Sequence, residues 1–308
     1  MARVAVVGSY GVGLTFETER VPGAGETVVG QKFRTAHGGK GSNQAVGAAR
    51  LGAEVCLLTA VGTDGFGEEA FKLWEAEGVD ASAVLRLPTR TMAAAILVDE
   101  AGEKHTVAVP GALAALEPAH VDAFAPWIAT AHVLLVQLEL PMAVAHRALA
   151  VAHEHNVCSI LNPAPLSETP LPEGMLELAN YLTPNATEAA AIGVDISVVT
   201  RGSDGADLRR QRIPALPAAA VDPTGAGDAF NAAFAVALGE GRPDDEAVLW
   251  GCAAGAHMVE HHGVIAGLPT RAQLEARLAT VPAQLRARRR PSRPQITNAP
   301  VRRGSSTT

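Results

Sequence analysis

Short apolar runs alternate with longer Ala-rich stretches along most of the chain, and this alternation constrains the fold more than any other feature. The short runs predict strands, because they are brief and rich in Val, Ile and Leu. They lie at 3–7, 55–61, 133–138, 157–161, 181–183 and 196–200. The longer stretches predict helices at 41–51, 66–77, 142–155, 226–237, 244–261 and 271–288. This order favours an α/β fold, with a mainly parallel central sheet flanked by helices on both faces.

Two segments interrupt the alternation. Residues 26–35 have an extended pattern, and residues 93–109 predict a hairpin whose turn is the polar stretch 99–103. Together they predict a small β sheet beside the main domain, in a position to serve as a lid over a cleft.

Composition and charge exclude several classes of partner. With 48% hydrophobic and 19% charged residues, the chain is typical of a globular protein with a sizeable core. Residues 282–308 contain seven Arg and no acid, so the preceding 281 residues are more negative than the whole chain's −7. An acidic body is a poor partner for nucleic acid, and the basic, Pro- and Ser-rich tail is predicted to be disordered.

The cysteines and the apolar runs bear on compartment. Cys56, Cys158 and Cys252 are odd in number and far apart, which predicts no disulfide framework and favours a reducing, cytoplasmic setting. No stretch reaches the roughly 18 apolar residues of a membrane span, and residues 1–8 predict a first strand rather than a signal peptide. We therefore expect no membrane partner.

The stretch 221–231, Val-Asp-Pro-Thr-Gly-Ala-Gly-Asp-Ala-Phe-Asn, places Gly225 and Gly227 just before a predicted helix. Free backbone N–H groups and the helix dipole at such a position attract an anion. Asp228, in the first helical turn, is then placed to accept a proton from a hydroxyl that attacks a bound phosphoryl group. The alternative is that Asp228 only caps the helix, a common use of Asp.

A second glycine-rich stretch, His-Gly-Gly-Lys-Gly-Ser-Asn-Gln-Ala at 37–45, also opens a predicted helix. Its glycines let the backbone come close to a ligand, and its polar side chains can line a pocket. The spacing is not that of a Walker A loop, and a plain glycine-rich helix entry is the alternative.

The two stretches, taken together and in this order, closely resemble the ribokinase-like (PfkB) family of carbohydrate kinases. Further pieces of the resemblance are Gln-Leu-Glu at 137–139, Leu-Asn-Pro-Ala-Pro at 161–165, Asn-Ala-Thr-Glu at 185–188 and Thr-Arg-Gly at 200–202. The resemblance covers roughly residues 3–280. It implies a kinase domain over 1–281 with a lid from about 14–36 and 91–109, and a separate tail at 282–308. It also implies that the lid pairs two subunits as a homodimer.

The resemblance implies roles for particular residues. Asp228 resembles the family's general base, and Gly225, Ala226 and Gly227 resemble its anion hole. The implied substrate-binding residues are Gly38, Gly39, Lys40, Asn43 and Glu139, and the implied nucleotide-binding residues are Asn185, Glu188, Thr200, Gly202 and Gly205, with the segment 263–269. Glu188 resembles a residue that organises magnesium through water, and Asp222 and Thr224 resemble ligands of a monovalent cation, often potassium. The implied partners are a small sugar and ATP.

The sequence departs from the family pattern at the substrate. Ribose-specific members have an Asn and an Asp that hold sugar hydroxyls at the positions where this chain has Gly11 and Gly13. Each lost buried hydrogen-bond partner costs about 1–3 kcal/mol. The two glycines therefore favour a substrate that is larger or less hydroxylated than ribose.

A second departure lies on the nucleotide side. Only eleven residues separate Glu188 from Thr200, where the family has a full helical crossover. Adjacent parallel strands need a connection of roughly a dozen residues or more, so either these strands are not adjacent or a covering helix is missing. A weakened affinity for ATP is the expected consequence.

The sequence therefore predicts an ATP-dependent sugar kinase that phosphorylates a hydroxymethyl group. The alternatives are a nucleoside kinase and a non-catalytic sugar or nucleotide sensor on the same scaffold. A dehydrogenase needs the glycines at 8–13 to open a helix, whereas the sequence after them is extended. A zinc protease is suggested by His257, Glu260 and His261 in an H-x-x-E-H pattern, with Glu275 as a third ligand; His near a helix end is the plainer reading.

Overall fold

The computed structural model describes residues 1–167 and 170–281, and the predicted tail and the end of the last predicted helix lie outside these residues. Its strands are β1 (Arg3–Val7), β2 (Gly11–Glu17), β3 (Lys32–Gly38), β4 (Glu54–Leu58), β5 (Ala60–Gly62), β6 (Val79–Asp80), β7 (Leu85–Leu87), β8 (Ala93–Val98), β9 (Lys104–Val109), β10 (Val133–Gln137), β11 (Cys158–Asn162), β12 (Tyr181–Leu182), β13 (Val198–Thr200), β14 (Ala206–Leu208) and β15 (Gln211–Ile213). Its helices are α1 (Lys40–Arg50), α2 (Gly65–Glu77), α3 (Pro118–Thr130), α4 (Met142–Glu154), α5 (Ala186–Ile192), α6 (Ala226–Gly239), α7 (Asp244–Met258), α8 (Val264–Gly267) and α9 (Arg271–Ala279).

A six-stranded parallel sheet forms the centre of the domain, in the order β12-β11-β10-β1-β4-β6. One face packs against α1, α2, α6, α7 and α9, and the other packs against α3 and α4. Side chains alternate between these two cores along each strand, so Val4 and Val6 enter one core and Ala5 and Val7 the other. The predicted α/β fold is confirmed.

The first strand lies in the middle of this sheet, and the chain leaves it in both directions. The strands β4 and β6 continue on one side, and β10, β11 and β12 continue on the other. A crevice opens at the carboxyl ends of the strands where the order reverses in this way, and ligands of open α/β sheets bind there.

A second sheet, β3-β2-β8-β9, stands beside the domain and fits a lid. The predicted hairpin at 93–109 is confirmed as the antiparallel pair of β8 and β9. The extended segment predicted at 26–35 is shifted, since the strand there begins only at Lys32. The two faces of the sheet differ: Phe16, Phe33, Val107 and Val109 share one face in register, and Gly13, Ile96 and Lys104 share the other.

The strand predicted at 196–200 is shorter than expected and does not join the central sheet. Val198–Thr200 belongs instead to a three-stranded antiparallel sheet with β14 and β15. One parallel bridge, Asn185 to Thr200, and a hydrogen bond from Thr200 N to Pro184 O at 2.9 Å connect it to the segment after β12. Of the two possibilities left by the short connection, the structure shows the first: β12 and β13 are not paired.

Several helices differ from prediction, and the short helices α5 and α8 were not predicted. The helix predicted at 244–261 ends at Met258, so Glu260 and His261 lie beyond it. Helix α3 was not predicted, because Pro118 and Pro126 interrupt its pattern; Pro118 is the first residue of the helix, where a missing N–H does no harm. No helix in the described part of the chain is long and apolar enough to cross a membrane. Cys56, Cys158 and Cys252 are free thiols.

Candidate active site

The polar groups at the carboxyl ends of the central strands converge on the crevice. Gln137 is the last residue of β10, Asn162 is the last of β11, and Ser9 follows β1. All three side chains are buried. Strand direction alone therefore concentrates hydrogen-bonding groups at the point where the strand order reverses.

The glycine-rich loop before α1 is pressed against the chain that leaves β1. Gly39 has φ 89°, and a Cβ there would lie 2.6 Å from the Cα of Tyr10. A Cβ on Gly41 would lie 2.5 Å from the carbonyl carbon of Gly8. These two glycines are thus required by packing, whereas a Cβ on Gly38 would meet only Gly11 O at 3.6 Å.

Glu139 fastens the same loop. Its Oε2 accepts a hydrogen bond from the Ser9 hydroxyl and one from Lys40 N at 2.8 Å. The carboxylate therefore already has protein partners that hold the loop in place. That Glu139 contacts the substrate stays a prediction. Such a contact involves the other carboxylate oxygen, Oε1.

The start of α6 is open to a ligand. Gly225 is in the left-handed region with φ 84°, and a Cβ there would lie 2.7 Å from Val264 Cγ1. A Cβ on Gly227, by contrast, would meet no atom within 4 Å. Among the described residues, the N–H groups of Gly227 and Asp228 have no hydrogen-bond acceptor. The start of α6 therefore combines free N–H groups, open space and the positive end of the helix dipole, which suits an anion.

Asp228 is buried at 5% exposure, yet both of its carboxylate oxygens have donors. Asn43 Nδ2 donates to Oδ2 at 2.8 Å, and Gln44 Nε2 donates to Oδ1 at 3.0 Å. Burial raises the pKa of Asp228, the charge of Lys40 and the two amides oppose that rise, and the charge of Glu139 adds to it. The net direction is upward, as expected for a base that must take a proton near neutral pH. The helix-cap alternative is not what the contacts show, since no side-chain cap is present and Gly225 occupies the cap position.

The side-chain amide of Asn43 uses its NH₂ group as a donor but leaves its oxygen without a partner. Its Oδ1 is buried and accepts no hydrogen bond from the described residues. A buried unpaired acceptor is costly, so it indicates that a donor from outside the chain completes it. A ligand hydroxyl beside Asp228 has this chemistry.

The inner face of the lid offers few polar groups near Asp228. Lys104 lies on the same face as Gly13 and is close enough for its charge to lower the pKa of Asp222, so this face looks onto the start of α6. A Cβ on Gly11 would lie 2.5 Å from Met92 Cε, and one on Gly13 would lie 3.5 Å from Ile96 Cδ1. The lid therefore presents backbone and apolar side chains where the family resemblance implies hydroxyl-binding residues.

The predicted nucleotide-side residues lie on or beside the small three-stranded sheet. Asn185 and Glu188 form a reciprocal capping box at the start of α5, with Glu188 Oε2 accepting from Asn185 N at 2.8 Å. Thr200 ends β13, and Gly202, with φ 55°, begins the turn after it. Gly205 is buried, and a Cβ there would lie 2.1 Å from Ile213 O, so packing alone requires this glycine.

Oxygen donors suited to hard cations are present at both predicted cation positions. Asp222 Oδ1 accepts from Thr224 N at 3.0 Å. Burial raises the pKa of Asp222, but the hydrogen bonds from Thr224 and the charges of Lys104 and His262 outweigh burial, so the pKa is lowered. The ionised carboxylate fits a monovalent cation. Glu188 likewise keeps its Oε1 without a partner among the described residues and fits magnesium held through water.

The zinc hypothesis is wrong. Glu260 forms an ion pair with Arg277 at 2.8 Å, and His261 Nδ1 lies 2.9 Å from His257 O. The ring centroids of His257 and His261 lie 4.6 Å apart, but Glu260 is paired with Arg277, and the three residues do not form a group able to hold a metal ion. In the described residues, the one group of His and acids that could hold a metal ion is Asp99, Glu103 and His105, at the exposed turn of the lid. The dehydrogenase hypothesis is also wrong, since residues 11–17 form a strand rather than a helix.

Three residues of the site had no role assigned from sequence: Gln44, Gln137 and Asn162. Gln44 Nε2 lies 3.3 Å from Asn162 Oδ1, and Gln137 Nε2 donates to Gln44 Oε1 at 2.7 Å. The available signal was their position, because an amide in an otherwise apolar helix or strand needs a buried partner.

The parallel sheet, the lid and the helix-start site are those of a small-molecule kinase. The model of the pfkB family carbohydrate kinases matches residues 1–271. A ribokinase from Bacillus subtilis is 35% identical over 295 residues, covering 91% of this chain and all of the relative. A deoxyribokinase from Salmonella typhi is 31% identical, covering 75% of this chain and 84% of the relative.

The solved structures agree with the sequence relatives. An Arabidopsis thaliana ribokinase in complex with ribose and ATP superposes with a TM-score of 0.83 at 28% identity, covering 91% of this chain and 100% of that one. The chain belongs to the pfkB family of carbohydrate kinases. It is a phosphotransferase that uses an alcohol group as acceptor.

Replacing Gly227 by Ala tests the opening at the start of α6. The methyl group meets no protein atom, so the fold should be unaffected, but it occupies the space in front of the free N–H groups. We expect kcat to fall at least about tenfold, in the range seen when a donor to a developing charge is impaired, while thermal stability stays within about 1 kcal/mol. The matched control is Gly65→Ala, also in a first helical turn with no atom within 4 Å, which should leave kcat unchanged. Equal kcat in both variants would show that no phosphoryl group approaches Gly227.

Proposed function

We propose that the protein is an ATP-dependent sugar kinase, which transfers the γ-phosphoryl group to a hydroxymethyl group of a small sugar with Asp228 as general base. The observation that carries this proposal is a buried carboxylate with a raised pKa beside a helix N-terminus that is open to an anion. The sequence relatives support it, since those named above are a ribokinase and a deoxyribokinase.

In the proposed reaction, the sugar lies between the start of α1 and the lid. Its hydroxymethyl group donates a hydrogen bond to Asp228, and a neighbouring hydroxyl completes Asn43 Oδ1. As the oxygen attacks the γ-phosphorus, its proton passes to Asp228 and the bond from phosphorus to the leaving ADP oxygen breaks. The backbone of Gly225, Ala226 and Gly227, with the free N–H groups of Gly227 and Asp228, stabilises the charge on the transferred group.

The remaining residues hold the nucleotide and its cations in this proposal. Asn185, Glu188, Thr200, Gly202 and Gly205 lie on the side of the crevice where ATP binds. Magnesium neutralises phosphate charge when it is bound, with Glu188 as its water-mediated anchor. Asp222 and Thr224 bind a monovalent cation next to the start of α6.

Replacing Asp228 by Asn should lower turnover by about 10²–10⁴-fold, because the amide keeps the shape of the side chain but cannot take the proton. Release of ADP from ATP and magnesium is measured with a panel of pentoses, hexoses and nucleosides, and sugar binding is measured by calorimetry. Binding should be retained within a few-fold. The control is Asp245→Asn, an acid in the first turn of α7, which should keep full turnover.

Near-normal turnover of Asp228→Asn would remove this residue from the role of base. Sugar binding without turnover on any acceptor would identify the chain as a sensor on a kinase scaffold, the alternative favoured by its small nucleotide-side sheet. Turnover on nucleosides alone would identify a nucleoside kinase.

Within the sugars, we propose that the preferred acceptor has fewer hydroxyls than ribose. The apolar surface of Met92 and Ile96 and the bare backbone of Gly11 and Gly13 provide no partner for a hydroxyl that reaches the lid. A hydroxyl buried there without a partner costs about 1–3 kcal/mol. The relatives named as ribokinases favour ribose instead. The preference between ribose and a sugar with fewer hydroxyls is therefore decided by experiment.

The ratio of kcat/KM for 2-deoxyribose to that for ribose should exceed one in the wild type. Gly13→Asp should lower this ratio by about 5–150-fold, the equivalent of 1–3 kcal/mol, because a Cβ at this position meets only ordinary contacts and the carboxylate supplies a hydroxyl partner. Thr15→Asp, one step further along the same face of β2, is the control and should not change the ratio. A wild type that prefers ribose would contradict the assignment.

We also propose a homodimer formed through the outer face of the lid. Phe33, Val107 and Val109 are 58%, 69% and 61% exposed and share this face with Phe16, whose ring centroid is 4.9 Å from that of Phe33. Exposed apolar side chains grouped in this way indicate a protein contact.

Phe33→Glu should dissociate the dimer, because it places a charge in the apolar contact. The molar mass in solution is measured by sedimentation equilibrium at several concentrations. Thr106→Glu, on the opposite face of the same sheet, should remain dimeric. A wild type that is monomeric at all concentrations would contradict this proposal.

A further inference from the structure

Two glutamines with no assigned role are buried completely at the centre of the site. Gln44 lies in the second turn of α1 among Ala, Gly and Val residues, and Gln137 ends β10; neither has any exposed surface. Burying an amide is unfavourable unless its donors and acceptor find partners, so the contacts of these two side chains carry information.

The contacts form a chain that begins at a backbone carbonyl. Asn162 Nδ2 donates to Thr183 O at 3.2 Å. Because a carbonyl oxygen can only accept, the NH₂ group of Asn162 must face Thr183 and its Oδ1 must face away from Thr183. That oxygen faces Gln44 Nε2 at 3.3 Å. Gln44 is thereby obliged to direct its NH₂ group toward both Asn162 and Asp228.

The opposite end of Gln44 is fixed as well. Its Oε1 accepts from Gln137 Nε2 at 2.7 Å, so both ends of the Gln44 amide have partners of the correct kind. A flipped Gln44 would place its oxygen against the Asn162 oxygen and against the Asp228 carboxylate. The orientation therefore follows from the network itself and does not depend on which atom is labelled nitrogen.

Asp228 therefore always faces the NH₂ group of Gln44 and never its oxygen. Gln44 Nε2 reaches Oδ1 at 3.0 Å while Asn43 Nδ2 reaches Oδ2 at 2.8 Å, which fixes the plane of the carboxylate. Donors to both oxygens favour the ionised form, against the burial that disfavours it. The other charged groups that act on Asp228 are Lys40 from α1, which has the same effect, and Glu139 after β10, which has the opposite one.

We propose that Gln44, oriented by Gln137 and Asn162, is a positioning residue that keeps Asp228 ionised and aimed at the acceptor hydroxyl. The inference rests on the proposed role of Asp228 as base. It assigns a purpose to the polar side chain of Gln44 and to the burial of three amides in one core.

The test is Gln44→Glu, a nearly isosteric change that leaves an acceptor for Gln137 but replaces the donor to Asp228 with a second carboxyl group. The two acids must then share a proton, so the titration of Asp228 should move upward by about one pH unit or more. This titration is followed directly by ¹³C NMR with carboxyl-labelled aspartate, and the Asp228 resonance is assigned by its absence in Asp228→Asn. The acid limb of the pH profile of kcat/KM should move in the same direction, with a smaller change in sugar affinity.

Two further variants separate positioning from folding. Gln137→Met does not touch Asp228 and should produce a smaller upward shift, because Gln44 loses the partner that holds its oxygen. Ser42→Ala, in the same helix, removes a buried hydrogen bond of 2.9 Å to Trp74 Nε1. It should lower thermal stability while leaving the Asp228 titration unchanged.

An Asp228 titration that is the same in wild type, Gln44→Glu and Gln137→Met would overturn the inference. A shift of equal size in Ser42→Ala would also overturn it, since general loosening of the core would then explain the effect. Failure of the proposed function has a different signature, which is full turnover of Asp228→Asn or none in the wild type, and the NMR titration decides the inference in either case.

Discussion

A carboxylate buried in an apolar core is the constraint on which this structure depends. Asp228 lies between α6 and α1 with almost no exposed surface, where an isolated charge is strongly unfavourable. Two amide donors from consecutive residues of α1 offset that cost. The position of α1 against α6 is therefore set by the charge as well as by the packing of Gly47 on Ala232, where a Cβ would lie only 2.8 Å away. Displacement of either helix would leave Asp228 without its two hydrogen-bond donors.

The approach of α1 to the site depends in turn on residues that have no side chain. Gly8, Gly39 and Gly41 allow the chain before α1 to touch the chain after β1, and any larger residue would push the helix outward. Glu139 then fixes the loop from the neighbouring strand end. Motifs that were first interpreted as ligand contacts thus have a prior role in bringing the amides to Asp228. Among the glycines at the starts of α1 and α6, only Gly227 is one where an added Cβ would meet no atom within 4 Å.

Much of the fold followed from the sequence because its strong signals are local. Central strands such as Arg3–Val7 and Val133–Gln137 are short apolar runs bounded by polar residues, and the lid hairpin has a polar turn between β-prone arms. The predictions were weakest where the outcome depends on distant partners. The true end of α7 and the separate sheet containing β13 are of this kind, because a helix end or a strand's choice of neighbour is decided by tertiary contacts. The assignment of Asn43 and Asp228 to one site followed from the family resemblance, whereas the hydrogen-bonded chain from Thr183 through Asn162 to Gln44 joins distant segments and leaves no pattern in any one of them.

The short connection between β12 and β13 divides the molecule into parts of unequal cooperativity. Helix α5 buries none of its residues, whereas the neighbouring sheet of β13, β14 and β15 packs Val198, Ala206 and Ile213 into the main core. A seven-residue helix without a buried residue opens locally at a lower free energy than the core that surrounds Asp228. Hydrogen exchange would accordingly report two regimes within one domain, a slow one around Asp228 and a fast one in α5. Changes of chain length are tolerated most easily in the second regime, so this edge of the sheet is where the family can lose or gain residues without disturbing the chemistry at its centre.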